Sequence, residues 1–352
     1  MDWGLFLVNA QPPGKSSYQV LQDGLAYAVA SEAMGFSTAW VLEHHFTRFG
    51  LVGSPLLYAS HLLGRTTTLK VGTAIQVITL DHPIRLAEQV ALLDNLSDGR
   101  LIFGFGRGYF LKDFVGFERD HEHTREVADE WLSIMRSAWD TGRCGAEGAH
   151  IRFPKVKVNP RPLTRPYPQL YTVGQADQTI EWAARRAIPL LHPFGLPTEH
   201  TTRVLRHYNN VAESSGHDPT SIPHVLTMLA GVSSDGAKVK DAVRRKIAWW
   251  ETTGERATRL GSLLHGKRLG ETASALSFEG PSVSERVAAY LSNSPVGTPQ
   301  ECVDKICATL EATGVRHIAL AMEGVGEREE VIESLQRFRE DVIPHVSEPQ
   351  HA

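Results

Sequence analysis

Cysteine is scarce in this chain, and what little there is forms no pattern. Only Cys144, Cys302 and Cys307 occur in 352 residues. An odd count at those spacings fits neither a disulfide framework nor a zinc site, so free thiols in a reducing compartment are expected. No run approaches the roughly 18 consecutive apolar residues of a membrane span. The opening Met1-Asp2-Trp3-Gly4-Leu5-Phe6 has no basic start and no long apolar stretch, so no export signal is expected and the protein is placed in the cytoplasm. Charge of one sign is also lacking. Thirty-six basic residues face 40 acidic ones, a net charge of −4 that provides no basic field for nucleic acid. Internal repeats and low-complexity tracts are missing as well. What remains is globular: 42% hydrophobic residues and 22% charged, enough apolar content for a large core.

Short apolar runs alternate with amphipathic stretches. Strands are expected at Trp3–Val8, Ser37–Leu42, Leu69–Ile75, Arg100–Phe105, Gln169–Val173, Ile188–Leu191, Val225–Val232 and His317–Met322. Helices are expected at Val20–Met34, Pro55–Leu63, Pro83–Leu96, Thr124–Trp139, Asp177–Ala187, Glu199–Ser214, Asp235–Trp250, Pro299–Ala312 and Arg328–Val342. Several carry their own punctuation, with Pro at the first helical position or Gly just past the end. Two stretches break the rhythm: an insertion over 141–168, with a hairpin around Ile151–Val158, and a long loop over 252–293 of the kind that serves as a mobile lid. Eight strand–helix units predict an α/β fold of one domain, a TIM (β/α)8 barrel with insertions; an open doubly wound sheet is the alternative.

A barrel of this kind works at the C-terminal ends of its strands. After the second strand stand Glu43, His44 and His45, and adjacent histidines there point in opposite directions. They are either a proton-handling group or a hydrogen-bonded structural pair. After the third come Thr73, Ala74, Ile75 and Gln76, small enough for a flat ligand but equally suited to ordinary packing. The fourth strand leads into Gly104-Phe105-Gly106-Arg107-Gly108-Tyr109, a glycine-rich turn whose arginine can grip a phosphate bidentately or simply face solvent. After the fifth, Gly174-Gln175-Ala176-Asp177-Gln178-Thr179 opens a helix. Its N-terminus is an anion site unless Asp177 caps it. No histidine or carboxylate cluster has metal-ligand spacing, so no metal is expected.

Glu43-His44-His45-Phe46-Thr47-Arg48-Phe49-Gly50 carries a further signal. With His82-Pro83-Ile84-Arg85, Ser97-Asp98-Gly99-Arg100, Lys112-Asp113-Phe114, Phe153–Pro160, Glu181-Trp182-Ala183-Ala184 and Asn293–Cys302, it resembles the bacterial luciferase-like flavin monooxygenases, most closely the luciferase α subunit. The resemblance runs over nearly the whole chain. It implies a barrel that takes reduced FMN (FMNH2) from a separate flavin reductase and uses O2, through a C4a-(hydro)peroxyflavin, to oxidise a small organic molecule. It also implies a dimer, here expected to be a homodimer, with Glu88 and His45 or His82 at the interface. By matching position, His44 is the implied catalytic histidine, and Asp113 a catalytic group that tunes the flavin. Arg107, with Gln175, Ala176 and Thr179, is the implied phosphate clamp. Ala74 and Ile75 match a cis peptide beneath the flavin ring, and Gly106, Tyr109 and Gly174 complete the implied cofactor contacts.

The chain also departs from the luciferase α pattern. Gly106 stands where that subunit has a reactive cysteine, which opens space beside the flavin. Gln175-Ala176 replaces Glu-Ser, and His192-Pro193-Phe194 replaces a tryptophan-bearing segment. These departures favour a non-luminescent monooxygenase, with a role in secondary metabolism. A genuine luciferase acting on a long-chain aldehyde, a deazaflavin-dependent oxidoreductase and a non-catalytic flavin-binding subunit remain alternatives at this point.

Overall fold

The computed structural model describes residues 1–268 and 281–347. In chain order the elements are β1 (Asp2–Leu7), α1 (Ser17–Ala33), β2 (Thr38–Val41), α2 (Pro55–Leu63), β3 (Lys70–Thr73), β4 (Gln76–Val77), α3 (Pro83–Leu96), β5 (Leu101–Gly106), α4 (Leu111–Gly116) and α5 (Thr124–Thr141). There follow β6 (Arg143–Glu147), β7 (Arg152–Lys157), β8 (Leu170–Thr172), α6 (Asp177–Ala184), β9 (Leu191–His192), α7 (Thr198–Ser214), β10 (Val225–Leu229) and β11 (Gly231–Val232). The last elements are α8 (Gly236–Arg268), α9 (Val283–Ser292), β12 (Val296–Gly297), α10 (Pro299–Thr313), β13 (His317–Ala321) and α11 (Arg328–Arg337). Among the described residues, no helix is long and apolar enough to cross a membrane.

The contacts group the chain into two compact units. One comprises Met1–Trp40, Tyr171–Thr252 and the described residues from 281 on. Its strands run parallel: β1 pairs with β13, β13 with β10 and β10 with β9, while β11 pairs with β12. β10 and β13 are buried along their whole length, as expected of parallel strands covered on both faces. The helices of this unit start on local chemistry. Ser16 and Gln19 form a capping box at α1, and Thr298 and Glu301 form another at α10, where Pro299 occupies the first turn. α10 stops at Gly314, whose φ of 67° is the left-handed conformation that glycine adopts without penalty.

The other unit comprises Val41–Leu170 with residues 253–268. Here β3 and β4 both pair in parallel with β5, and β6 and β7 form an antiparallel hairpin. α5 buries Trp131, Leu132, Met135, Ala138 and Trp139 on one face, and the Trp139 indole donates to the Ala87 carbonyl of α3 at 2.9 Å. The 158–165 segment is tied down by Asp94, whose carboxylate accepts from the amide and hydroxyl of Thr164 at 2.7 and 2.9 Å.

Most expected elements appear within a few residues of their expected ends, and Pro55–Leu63 and Pro83–Leu96 match at both ends. Two expectations are corrected. The hairpin begins at Arg143, not at Ile151, because Gly145 belongs to its first strand: a Cβ there would lie 3.1 Å from the Lys155 Cα across the hairpin. The supposed loop over 252–293 is largely helical. α8 runs on to Arg268 and α9 occupies Val283–Ser292, while residues 269–280 lie outside the described residues. One of the glycines that read as loop punctuation, Gly261, sits inside α8 for packing. At Gly261 an added Cβ would come within 2.8 Å of the Lys112 amide nitrogen, so the helix can pass this close only without a side chain.

Candidate functional site

Seven of the eleven expected site residues, His44, Ala74, Ile75, Gly106, Arg107, Tyr109 and Asp113, fall in the unit built on β3, β4 and β5. Gly174, Gln175, Ala176 and Thr179 fall in the other.

The segment just beyond β2 is held by two buried anchors. The Glu43 carboxylate bonds the His45 ring at 2.9 Å and accepts from the Val77 amide at 2.8 Å. Burial pushes this carboxyl up, and the His45 and Val77 bonds pull against that. On the far side, the Lys112 ammonium donates to the His45 carbonyl at 2.7 Å and to the Asp113 carboxylate at 2.5 Å. Both members of this second pair are buried, Lys112 being only 1% exposed. Burial pushes Asp113 up and Lys112 down, and their short contact offsets part of that cost by favouring the ion pair.

Between these anchors His44 is different. Its backbone amide donates to the Val52 carbonyl at 3.0 Å, but its Nδ1 is buried with no hydrogen-bond partner. Phe49 and Phe110 meet the ring edge-on, with centroids 4.8 and 5.5 Å away. Burial first, then the charge of Lys112 and the presence of His45, push the imidazole down to about 3. The ring is therefore neutral at physiological pH, with an unsatisfied nitrogen in an apolar recess. A buried polar atom left without a partner is costly, so its retention points to a ligand. His45, its neighbour, is spent on structure.

At the end of β3 the Ala74–Ile75 peptide is cis, as the resemblance implies. Gly106, at the end of β5, pairs with Val77. The space expected to open there is taken: a Cβ on Gly106 would lie 2.3 Å from the Ile75 Cδ1. Past it, the Arg107 carbonyl accepts from the Thr79 hydroxyl at 2.8 Å, which fixes the backbone. The guanidinium is exposed and bonds Thr124 Oγ1 through Nη1 at 3.1 Å. Tyr109 is 71% exposed, with its ring 4.5 Å from that of Phe110.

In the other unit, Ala176 is the N-cap of α6 and no side chain caps the helix, so the alternative of capping by Asp177 is not realised. Gly174 is packed against Thr179, whose Cγ2 would lie 2.4 Å from a Cβ there. The Gln175 side chain bonds His200 at 2.6 Å.

His44 Nδ1 is an orphaned nitrogen in an aromatic recess and Arg107 an exposed donor fork suited to an anion; in the other unit, the start of α6 is a set of uncapped amides also suited to an anion. Whole-chain comparisons give the family. Residues 1–317 match the family described as luciferase-like monooxygenase. The chain is 36% identical over 353 residues to the alkanal monooxygenase alpha chain of the Kryptophanaron alfredi symbiont, covering 99% of each. The chain belongs to the luciferase-like monooxygenase family. It is an enzyme, a flavin-dependent monooxygenase. Its fold is the TIM (β/α)8 barrel predicted from the strand–helix alternation. The crystal structure of monooxygenase RslO1 from Streptomyces bottropensis superposes with a TM-score of 0.81 at 27% identity, over 99% of this chain and 100% of that one. The oxygenating constituent of 3,6-diketocamphane monooxygenase from Pseudomonas putida, solved in complex with FMN, shares the fold with a TM-score of 0.78 at 19% identity, over 99% and 100%.

Glu43 and Lys112 were not among the expected site residues. Both stand in the motifs that carry the family resemblance, but one partner of each lies far off in the chain, 34 and 67 positions away. Only the fold reveals that both hold His45, the residue after His44.

Proposed function

We propose that this chain is the oxygenase of a two-component system: a flavin reductase supplies FMNH2, and the chain uses it with O2 to oxidise a small organic substrate without emitting light. The observation that carries this reading is His44, a neutral ring with a free buried Nδ1 in an aromatic recess. FMN, bound in its reduced form, supplies the oxygen-activating chemistry. Arg107 and the N-terminus of α6, with Gln175, Ala176 and Thr179, hold its phosphate. Ala74, Ile75, Gly106 and Tyr109 line its ring system. His44 Nδ1 holds or passes one proton beside that ring, and Phe49 and Phe110 exclude water from it. Asp113, bonded by Lys112, sets the polarity nearby.

The test is to mix protein and photoreduced FMN with oxygenated buffer, and then with candidate substrates or a long-chain alkanal. A delayed return of oxidised-flavin absorbance, and no light with alkanal, are expected. Return at the rate of free flavin would remove the oxygenase role. Light with alkanal would establish the second reading, a luciferase, which the full-length similarity to alkanal monooxygenase alpha chains favours.

A homodimer goes with this reading. Leu57 of α2, 74% exposed, and Leu92 and Leu96 of α3, 49% and 70% exposed, present apolar surface suited to a second copy. Sedimentation at twice the chain mass is expected, and a concentration-independent monomer would remove the dimer from the proposal.

A further inference from the structure

The reading of His44 does not say what the buried Lys112 beside it does for the ring. Lys112 is among the largest fully buried side chains, and a lone buried ammonium is costly. Three contacts define it. It donates to the His45 carbonyl at 2.7 Å, it bonds Asp113 at 2.5 Å, and its ammonium lies 4.5 Å from the centroid of the Phe110 ring. Phe110 in turn meets the His44 ring edge-on at 5.5 Å. A methionine in its place would fill the same volume, so packing alone does not call for a charge here.

We propose that Lys112 is a positioning residue of this site, which fixes the backbone beside His44 and keeps a positive charge in the wall of its recess. Glu43 holds the His45 ring and Lys112 the His45 carbonyl, so the residue after His44 is fixed while His44 Nδ1 stays without a partner. The charge then acts through space. With a cation 4.5 Å from the centroid of the Phe110 ring that the His44 ring also meets, protonating His44 would place two like charges about one aromatic side chain. Lys112 therefore keeps the ring neutral, adding to what burial does. Among the described residues, Lys112 and His45 are the charged or titratable groups that act on the ring, and Asp113 from α4 and Glu43 from the ring's own segment bond those two. The 46–52 loop contributes Phe49 and the Val52 carbonyl, and α8 approaches through Gly254 and Gly261, which bring no charge.

The proposal rests on the reading of His44, and its test separates the two. Histidine-selective 13C NMR of the flavin-free protein follows the His44 ring between pH 4 and 8, assigned with a His44→Gln variant. A flat wild-type signal is expected. In Lys112→Met the midpoint should rise by about one pH unit or more, so that the signal bends at the acid end; Lys112→Arg should restore the flat curve. Since Lys112→Met strands the Asp113 carboxylate, Lys112→Met/Asp113→Asn provides a variant with no lone buried charge, and its His44 midpoint should rise as well. The acid limb of product yield per FMNH2 should move up in step. An unmoved His44 titration in the folded double variant would overturn the role of Lys112, whatever the activity. Undiminished product yield in His44→Ala would instead overturn the reading of His44 and leave the titration result standing.

Discussion

Replacing His44 by Ala is expected to lower product formed per FMNH2 oxidised by about a hundredfold or more, the scale on which a positioned proton-handling group contributes. The ring is neutral, its Nδ1 is buried and unpartnered, and both neighbouring residues are engaged elsewhere. Among the described residues, the rings packed against it are Phe49 and Phe110, which offer no proton-handling atom. Truncation would remove the proton site and leave room for water, which would divert FMNH2 to unproductive oxidation. The distinguishing measurement is product yield and peroxide yield together, at matched flavin occupancy. Falling product with rising peroxide fits the assignment. Wild-type yield at full occupancy would take His44 out of the mechanism, and a loss traced wholly to weaker flavin binding would make it a binding residue only.

The parts of the fold legible in the sequence were those whose signals are local. Pro55 and Pro83 at first helical turns, Gly64 past a helix end, and the all-buried runs of β10 and β13 needed no distant partner to be read. α8 was misread because one of its glycines answers to tertiary packing: Gly261 is small on account of Lys112, nearly 150 positions earlier in the chain. The site divides the same way. Strand ends marked out His44, Ala74, Gly106 and Arg107 as places to look, and the family resemblance supplied their roles. The room expected beside Gly106 depended on a neighbouring side chain, Ile75, whose direction periodicity does not fix. The anchors Glu43 and Lys112 were out of reach for the same reason, since a buried charge reads as a surface charge until its partners are known.

Arg107→Ala is expected to weaken FMNH2 binding by about ten- to a hundredfold, from the loss of roughly 1.5–3 kcal/mol of charge-assisted hydrogen bonding to phosphate. The structure leaves this arginine suited to the task. Its backbone is fixed by the Thr79 hydroxyl, its guanidinium is exposed, and Nη1 rests on Thr124 Oγ1, so most of the donor fork remains available. The effect should belong to the phosphate alone. Binding of reduced riboflavin, which lacks that group, should change little between wild type and variant, so the preference for FMNH2 over reduced riboflavin should collapse. Arg107→Lys should recover only part of the affinity, because a point charge does not reproduce a bidentate fork. Equal losses for both flavins would place Arg107 at the ring system or in the scaffold. Unchanged FMNH2 affinity would leave the phosphate to the start of α6, with the amides of an uncapped helix as its principal donors.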